Sequence, residues 1–219
     1  MYFSKHNERI TYSNHYSGLL EVMGKGVLCR EDAEVLGESG TGWTDHYDVL
    51  SITEGITGIG EGYLEAFPKI GCLIMSRTVV SCTVSPELIK RMRKRKTLIR
   101  GEYDTFAESF AKENGLDFLH SDIHIADDDI EAAHEHDIIT LRFHTDGSAD
   151  IHYNCFTPGS SASSYGGGEY ANKLPKDFYV GCTIEAFAAV FNERVREQIL
   201  SNDAVRRFLE SANRRYGKK

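Results

Sequence analysis

Histidine and acidic side chains are concentrated in one part of the sequence. Six of the nine histidines lie between residues 120 and 152, and imidazole and carboxylate groups are the ligands expected for zinc, iron or manganese. If Leu119 to Ile125 form a strand, His120, Asp122 and His124 project from one face, because alternate side chains of a strand share a face. A divalent metal held there would activate water, which predicts a metal-dependent hydrolase. The alternative is a solvated acidic surface, since the spacing matches neither His-x-His-x-Asp-His nor His-Glu-x-x-His.

Polar residues also lie at predicted strand ends in the N-terminal third. The run ITYSNHYSGLLEVMGKGVL predicts a strand, a helix from about Ser17 to Gly24 and a glycine-containing exit, and a second strand follows at VLSIT. This order resembles the N-terminal half of the ADP-ribosyltransferase fold. Residues His15 to Leu28 are similar to the first motif of the DNA-modifying members of that family.

The resemblance implies an enzyme that binds NAD and either transfers ADP-ribose or cleaves NAD. In that family, polar groups of the first strand hold the nicotinamide ribose, a Ser/Thr strand supports it, and a glutamate stabilises the oxocarbenium charge. The residues that would take these roles are, in order, Tyr12, Asn14 and His15; Ser51 and Thr53; and Glu131 or Glu135. Of the two glutamates, Glu131 is the candidate for catalysis.

Cations are concentrated in one predicted helix, over residues 86–99. Ser85-Pro86-Glu87 marks its start with a cap residue, a proline and an acid, and seven cations lie between Lys90 and Arg100. They could bind the phosphates of a nucleic acid or a nucleotide, although no aromatic residue is interleaved for base stacking. Alternatively, they pair with the acidic residues of 113–137, in the same molecule or across an oligomer contact. A non-catalytic protein that binds a protein or nucleic-acid partner is therefore a further hypothesis.

A hairpin over residues 138–156 is predicted from two alternating runs around Asp146-Gly147. A three-residue turn, Asp146 to Ser148, pairs Phe143 with Ile151 and places apolar residues together. The same register places His144 across from Asp150.

The remaining elements predict an α+β protein with a mixed or mostly antiparallel sheet. A Gly/Ser-rich stretch at 157–177 predicts a flexible loop. Amphipathic spacing predicts two C-terminal helices, from about Ile184 to Leu200 and from Asp203 to Tyr216. No internal repeat is evident, so we expect one domain over 1–219.

Composition excludes several classes of protein. The 219 residues carry a formal net charge of −8 and are 41% hydrophobic and 26% charged, which is typical of a folded chain and not of a disordered one. The apolar runs are shorter than the ~20 residues of a membrane helix, and the N-terminus has no apolar signal region. Five cysteines without Cys-x-x-Cys indicate reduced thiols and a cytoplasmic location. Expected ligands are a nucleotide or small molecule, with no membrane partner.

Overall fold

Strands and helices of the chain form two compact units, Met1–Leu119 and His120–Lys219. We refer to them as the N-terminal unit and the C-terminal unit. The computed structural model describes residues 4–6, 9–15, 18–37, 47–121, 123–125, 136–143, 149–156, 169–174, 179–189 and 193–217.

Short strands dominate the N-terminal unit. They are β1 (Ser4–His6), β2 (Ile10–His15), β3 (Leu19–Gly24), β4 (Gly26–Leu28), β5 (Val49–Ile52), β6 (Ile56–Ile59), β7 (Cys72–Met75), β8 (Ser81–Cys82), β9 (Leu98–Gly101) and β10 (Asp117–His120). The helical segments described between them are α1 (Arg30–Gly37), a 3-10 turn (Leu64–Ala66), α2 (Pro86–Arg95) and α3 (Phe106–Glu113).

Consecutive segments of this unit repeat one path. β3, β5, β7 and β9 lie parallel within a seven-stranded sheet of order β1-β2-β3-β5-β7-β9-β10, and β4, β6 and β8 form a second parallel sheet. The chain passes from the large sheet to the small one, then through a helical segment, and returns beside its start. The register partners Leu19, Val49, Cys72 and Leu98 lie 30, 23 and 26 residues apart. Each turn of this path is therefore one coil of a solenoid.

The core of the N-terminal unit is a ladder of apolar residues contributed by successive coils. Leu20, Leu50, Leu73 and Ile99 are register partners and are fully buried. A coil on its own cannot bury such a residue, but stacked coils bury a continuous row of them. The coils differ in length, so the repeat has no fixed period and cannot be recognised from the spacing of residues in the sequence.

The backbones of neighbouring coils pack closely at the corner between the two sheets. Gly55 has a φ of +98°, and a Cβ at this position would lie 2.4 Å from the carbonyl oxygen of Gly24 in the preceding coil. Hydroxyl groups link the coils here: Thr53 Oγ1 donates to the Val22 carbonyl oxygen at 3.1 Å, and Ser76 Oγ donates to the Thr53 carbonyl oxygen at 3.0 Å. Thr53 and Ser76 occupy equivalent positions, directly after β5 and β7.

The C-terminal unit combines an antiparallel sheet with helices. Its strands are β11 (Ile123–Ile125), β12 (His136–Phe143), β13 (Ala149–Phe156) and β14 (Glu169–Leu174), paired in that order. Its helices are α4 (Ile184–Ala188), α5 (Glu193–Ser201) and α6 (Asp203–Tyr216). The rings of Tyr179 and Phe208 pack with their centroids 5.7 Å apart. None of the helices in the described ranges has the length and apolarity that a membrane span requires.

The α+β class with a mixed sheet, predicted from the sequence, is confirmed. The large sheet contains both antiparallel pairs, β1 with β2 and β2 with β3, and the parallel pairs of the coils. The second predicted C-terminal helix is α6, and the first is described as α4 and α5, with 190–192 outside the described residues. One domain over 1–219 stays a prediction.

The predicted hairpin is present, but its register is wrong by two residues. Phe143 pairs with Ala149 and Leu141 with Ile151, whereas the prediction pairs Phe143 with Ile151. An offset of two retains the alternation of the strands, so the apolar pattern alone could not separate the two registers. The opposition of His144 to Asp150 is also wrong, because Asp150 pairs with Arg142.

Two further segments differ from their predictions. The predicted helix from about Ser17 to Gly24 is the strand β3, in which Leu20 and Val22 are buried and alternate with more exposed residues, a period of two rather than 3.6. Within the predicted loop 157–177, Glu169–Leu174 is the strand β14, paired with β13. The rest of that loop lies outside the described residues.

Candidate functional site

Tyr12, expected to contact NAD, lies in the core of the N-terminal unit. Its side chain is fully buried, and its hydroxyl oxygen lies 3.3 Å from that of Tyr63. Burial raises the pKa of both phenols well above its ordinary value, so both remain neutral. A phenol without exposed surface cannot contact a cofactor that binds from solvent.

Ser51 lies on the opposite face of the sheet from Tyr12. Tyr12 pairs with Val22, which pairs with Ile52, and all three are buried. Ser51 pairs with Glu21 in the alternate row, so its side chain projects from the other face. One bound NAD therefore cannot contact both Tyr12 and Ser51.

The other residues implied by the resemblance do not complete a site. The hydroxyl of Thr53 links two coils, as described above. Asn14 lies in β2, two residues from Tyr12 and so on the same face of the strand. His15 ends β2, but its side chain lies outside the described residues, as do Glu131 and Glu135.

The histidine-rich segment lies largely outside the described residues. The predicted strand Leu119–Ile125 is broken, because β10 ends at His120 and β11 begins at Ile123 in a different sheet. The period-two argument therefore does not relate His120 to His124. Within the part of the chain that the structure describes, no three metal-binding side chains are grouped. The metal-dependent hydrolase stays a prediction, which metal analysis of protein purified without a histidine tag tests.

A polar cluster that the sequence reasoning missed lies at the first coil. Arg9 Nη2 forms a 2.6 Å ion pair with Asp32 Oδ2, and the side chain of Asp32 is only 4% exposed. The same oxygen accepts from Cys29 N at 2.8 Å and from Cys29 Sγ at 3.1 Å. Asp32 thus closes the N-terminus of α1 in the manner of a capping box, and Cys-x-x-Asp before a helix was the available signal.

This cluster of Arg9, Cys29 and Asp32 has a structural role rather than a catalytic one. The hydrogen bond to Asp32 raises the pKa of Cys29, so the thiol is protonated near neutral pH and is a poor nucleophile. Arg9 also donates to the Val27 carbonyl oxygen at 2.9 Å. The cluster therefore ties β2 to the start of the first coil.

The predicted basic helix is confirmed as α2. Ser85 caps it by accepting from Leu88 N at 3.2 Å, and Pro86 takes the first helical position. The helix ends at Arg95, before the predicted end at residue 99, and Ile99 belongs instead to β9. The left-handed conformation of Lys96, with φ of 55°, stops the helix.

Three cations of α2 form a surface that we call the basic face: Lys90, Arg91 and Lys94. All three are exposed, and within the described ranges none forms an ion pair at 4 Å or less. Two other cations of the helix donate to backbone instead, Arg93 to the Asn114 carbonyl oxygen at 2.6 Å and Arg95 to that of Pro68. Residues 86–96 carry six cations and one acid, a local charge of +5 in a chain whose net charge is −8.

Glu65, in the 3-10 turn, fixes the start of α2. Its Oε1 accepts from Ser85 N at 3.0 Å. Burial alone would raise the pKa of Glu65, but the hydrogen bonds from Ser85 and the charge of Arg91 lower it below its ordinary value. The ionised carboxylate holds α2 against the preceding coil, and its charge attracts that of Arg91.

A shallow depression lies between the 3-10 turn and α2, beside the basic face. Its floor includes Leu64, Phe67, Leu88 and Met92, and Arg91 and Arg95 stand at its rim. No local sequence pattern predicts this depression, because its walls come from two separate segments, residues 64–70 and 88–97.

No protein-family model matches the chain, and no curated protein matches it. Among solved structures, a crystal structure of a leucine-rich repeat protein from Eubacterium ventriosum ATCC 27560 is similar over 37% of this chain at 18% identity, with a TM-score of 0.32. The similarity spans 22% of that protein's chain.

The resemblance to ADP-ribosyltransferases is therefore wrong. The segment that would supply the helix of the first motif is the strand β3, which pairs with β2 and β5. The opposite placement of Tyr12 and Ser51 removes the shared cofactor site on which the resemblance rested.

Proposed function

We propose that this chain is a non-catalytic interaction protein whose basic face binds an acidic segment of a partner protein. The observation that carries the proposal is the basic face itself: Lys90, Arg91 and Lys94 are exposed and form no ion pair within the described ranges. Charged groups arranged in this way attract and orient a partner of opposite charge.

The basic face is costly for the helix that carries it. Lys90 and Lys94 lie one turn apart, and like charges at this spacing destabilise a helix by roughly 0.2–0.5 kcal/mol per pair. Lys94 lies in the last turn, where a cation interacts favourably with the helix dipole, so the cost concerns the repulsion between Lys90 and Lys94. A like-charge pair that the helix does not need for its own stability supports a role in binding.

Two features favour a protein partner over a nucleic acid. No aromatic residue lies within 86–96, so bases would find no stacking platform on the helix. A long polyanion would also extend beyond the basic face and meet the repulsive field of a chain with net charge −8.

Fluorescence anisotropy with a labelled acidic peptide of about 16 residues tests the proposal. The triple variant Lys90→Glu/Arg91→Glu/Lys94→Glu should lose binding, and wild-type affinity should fall as salt rises from about 50 to 200 mM. The matched control is Lys25→Glu/Arg30→Glu/Arg77→Glu, which changes three exposed cations elsewhere in the N-terminal unit and gives the same net charge.

The control triple should retain most of the affinity. Equal losses in the two triples would assign binding to net charge alone and overturn the proposal, as would no binding of acidic peptides by the wild type. Tighter binding of a single-stranded or duplex oligonucleotide, lost in the first triple only, would assign the basic face to nucleic acid. Urea unfolding of each variant confirms that it is folded.

A further inference from the structure

We infer that the acidic segment bound by the basic face carries a phosphorylated serine or threonine. The inference rests on the proposed function and deepens it by naming the group that the partner segment presents. It is carried by the convergence of Lys90, Arg91 and Lys94 on one side of α2, and by the charged composition of the exposed surface of that helix.

The three cations lie on one side of the helix. An α-helix turns by about 100° per residue, so the positions of Lys90, Arg91 and Lys94 fall within a sector of about 100°. The same geometry separates them by at most about 6 Å along the helix axis. One anion can therefore contact all three long side chains, whereas carboxylates would have to come from several partner residues.

The exposed surface of α2 offers charge and almost no apolar contact. Its apolar residues Leu88, Ile89 and Met92 are only 3% to 7% exposed. Apart from Pro86 at the first position, every exposed residue of 86–96 is charged. The apolar floor of the neighbouring depression is buried as well. Affinity for a partner segment must therefore come from electrostatic attraction.

Electrostatic attraction alone favours a phosphoryl group over carboxylates. An ion pair between exposed side chains contributes little, because water screens the attraction and both side chains must become ordered. A phosphoryl group places nearly two negative charges and three acceptor oxygens on a single residue. It therefore pairs with several cations while only one side chain of the partner loses its freedom.

Arg91 is the residue best suited to hold the phosphoryl group. Its planar guanidinium can donate two parallel hydrogen bonds to phosphate oxygens, whereas a lysine acts as a point charge. Two acids lie near this arginine: Glu65, whose charge attracts it, and Glu87, one helical turn earlier. Both acids would repel an anion. The phosphoryl group therefore lies toward Lys94, on the side of Arg91 away from Glu87.

A membrane surface is a less suitable ligand for the same cations. Basic helices that lie on membranes insert an apolar face into the lipid. The apolar residues of α2 belong instead to the core of the N-terminal unit. The helix therefore cannot insert them without losing its contacts with that core.

Two labelled peptides of equal charge test the inference on the full chain. Each has about 12 residues with blocked termini, mostly glycine, serine and alanine; one carries a single phosphoserine and the other carries two neighbouring aspartates. Both have a charge of about −2 at pH 7.5, since the second pKa of the phosphate is about 6. We expect fluorescence anisotropy to show at least about fivefold tighter binding of the phosphopeptide.

Arg91→Lys provides a readout that net charge alone would not change. The variant retains the charge but loses the paired donors, so most of the advantage of the phosphopeptide should disappear. Affinity for the aspartate peptide should change by less than about twofold, because a lysine still attracts a carboxylate. Arg77→Lys is the matched control, at an exposed arginine elsewhere in the N-terminal unit, and should leave both affinities unchanged.

The outcomes separate the inference from the proposed function. Equal affinities of the two short peptides, with binding of the longer acidic peptide retained, would overturn the inference and leave the proposed function standing. Failure of all three peptides to bind would overturn both. Displacement of the phosphopeptide by an equal concentration of inorganic phosphate would identify a site for free anions and overturn the inference. Tighter binding to phosphatidylserine vesicles, lost in Lys90→Glu/Arg91→Glu/Lys94→Glu, would assign the basic face to a membrane and overturn it as well.

Discussion

Arg9 Nη2 and Asp32 Oδ2 lie 2.6 Å apart and join the strand before the first coil to the first turn of its helix. Asp32 is nearly buried and also accepts from the backbone and thiol of Cys29. This carboxylate therefore connects the antiparallel edge of the large sheet to the stacked coils.

Asp32→Ala should destabilise the N-terminal unit. The substitution leaves the amide of Cys29 without its acceptor and removes the partner of Arg9, so we expect a loss of about 1–3 kcal/mol in the free energy of unfolding. Urea denaturation measures it. Glu34→Ala is the control: Glu34 pairs with Arg30 at 3.7 Å with both side chains more than 60% exposed, and such a pair contributes at most about 1 kcal/mol. Equal effects of the two substitutions would contradict the assigned role of Asp32.

Gly55→Ala should also destabilise the solenoid. A Cβ at residue 55 would lie 2.4 Å from the Gly24 carbonyl oxygen, and the φ of +98° disfavours any side chain, so we expect a cost of about 2 kcal/mol or more. Gly71→Ala is the matched control, since its Cβ would meet Asp48 at an ordinary 3.6 Å. Thermal unfolding compares the two, and similar midpoints would refute the close approach of the coils.

Substitutions of Thr53 test whether its hydroxyl links two coils, as the structure indicates, rather than serving catalysis. Thr53→Val removes the hydrogen bond to the Val22 carbonyl oxygen and should cost about 0.5–1.5 kcal/mol. Thr53→Ser retains the hydroxyl and should recover most of that loss. If valine and serine destabilise equally, the hydroxyl does not link the coils.

The stability of the protein should fall in alkaline solution. Burial, with a smaller effect of Glu65, raises the pKa of Cys82 from 9.0 to about 12. As the pH rises, the Cys82 thiol is therefore deprotonated in the unfolded chain at a lower pH than in the folded chain. The stabilisation that the neutral thiol provides is complete below about pH 9 and declines as the pH rises toward 12. Urea midpoints at pH 8 and pH 10.5 under reducing conditions measure the decline. Cys82→Ala should make it smaller; an unchanged decline would show that Cys82 does not contribute.

Lys90→Glu should separate stability from binding. Glutamate at 90 would lie one turn before Lys94, the favourable orientation for an ion pair, but three residues after Glu87, which would repel it. We therefore expect the two effects to offset each other and the stability of α2 to change by less than about 0.5 kcal/mol. Affinity for the labelled acidic peptide should fall at the same time. A variant that loses both stability and affinity would indicate a structural role for Lys90.

Local signals in the sequence predicted single elements well. Ser85 and Pro86 mark the start of α2 by their residue types alone, and α6 is recognised from its own amphipathic spacing. Neither prediction requires knowledge of residues that are distant in sequence. The solenoid was not predictable in this way. Its rungs, such as Leu20 and Leu50, are paired by coils of unequal length, and no local pattern specifies which strands become neighbours.

For the candidate site too, the local features were predictable from the sequence and the features that depend on distant residues were not. The cations of α2 were evident in the sequence, but the depression beside them is formed by the 3-10 turn of the preceding coil. The resemblance implies that Tyr12 and Ser51 serve one NAD, but the predicted helix between them is the strand β3, which pairs with both β2 and β5. This pairing places the two side chains on opposite faces of the sheet.

The stacked coils have a consequence for how the N-terminal unit comes apart. β5, for example, pairs with β3 on one side and β7 on the other, so each coil is held chiefly by its two nearest neighbours. Cooperativity in such an array is transmitted step by step, and loosening begins at the ends. We expect amide hydrogens of β5 to exchange last, in a gradient that falls toward both termini of the array.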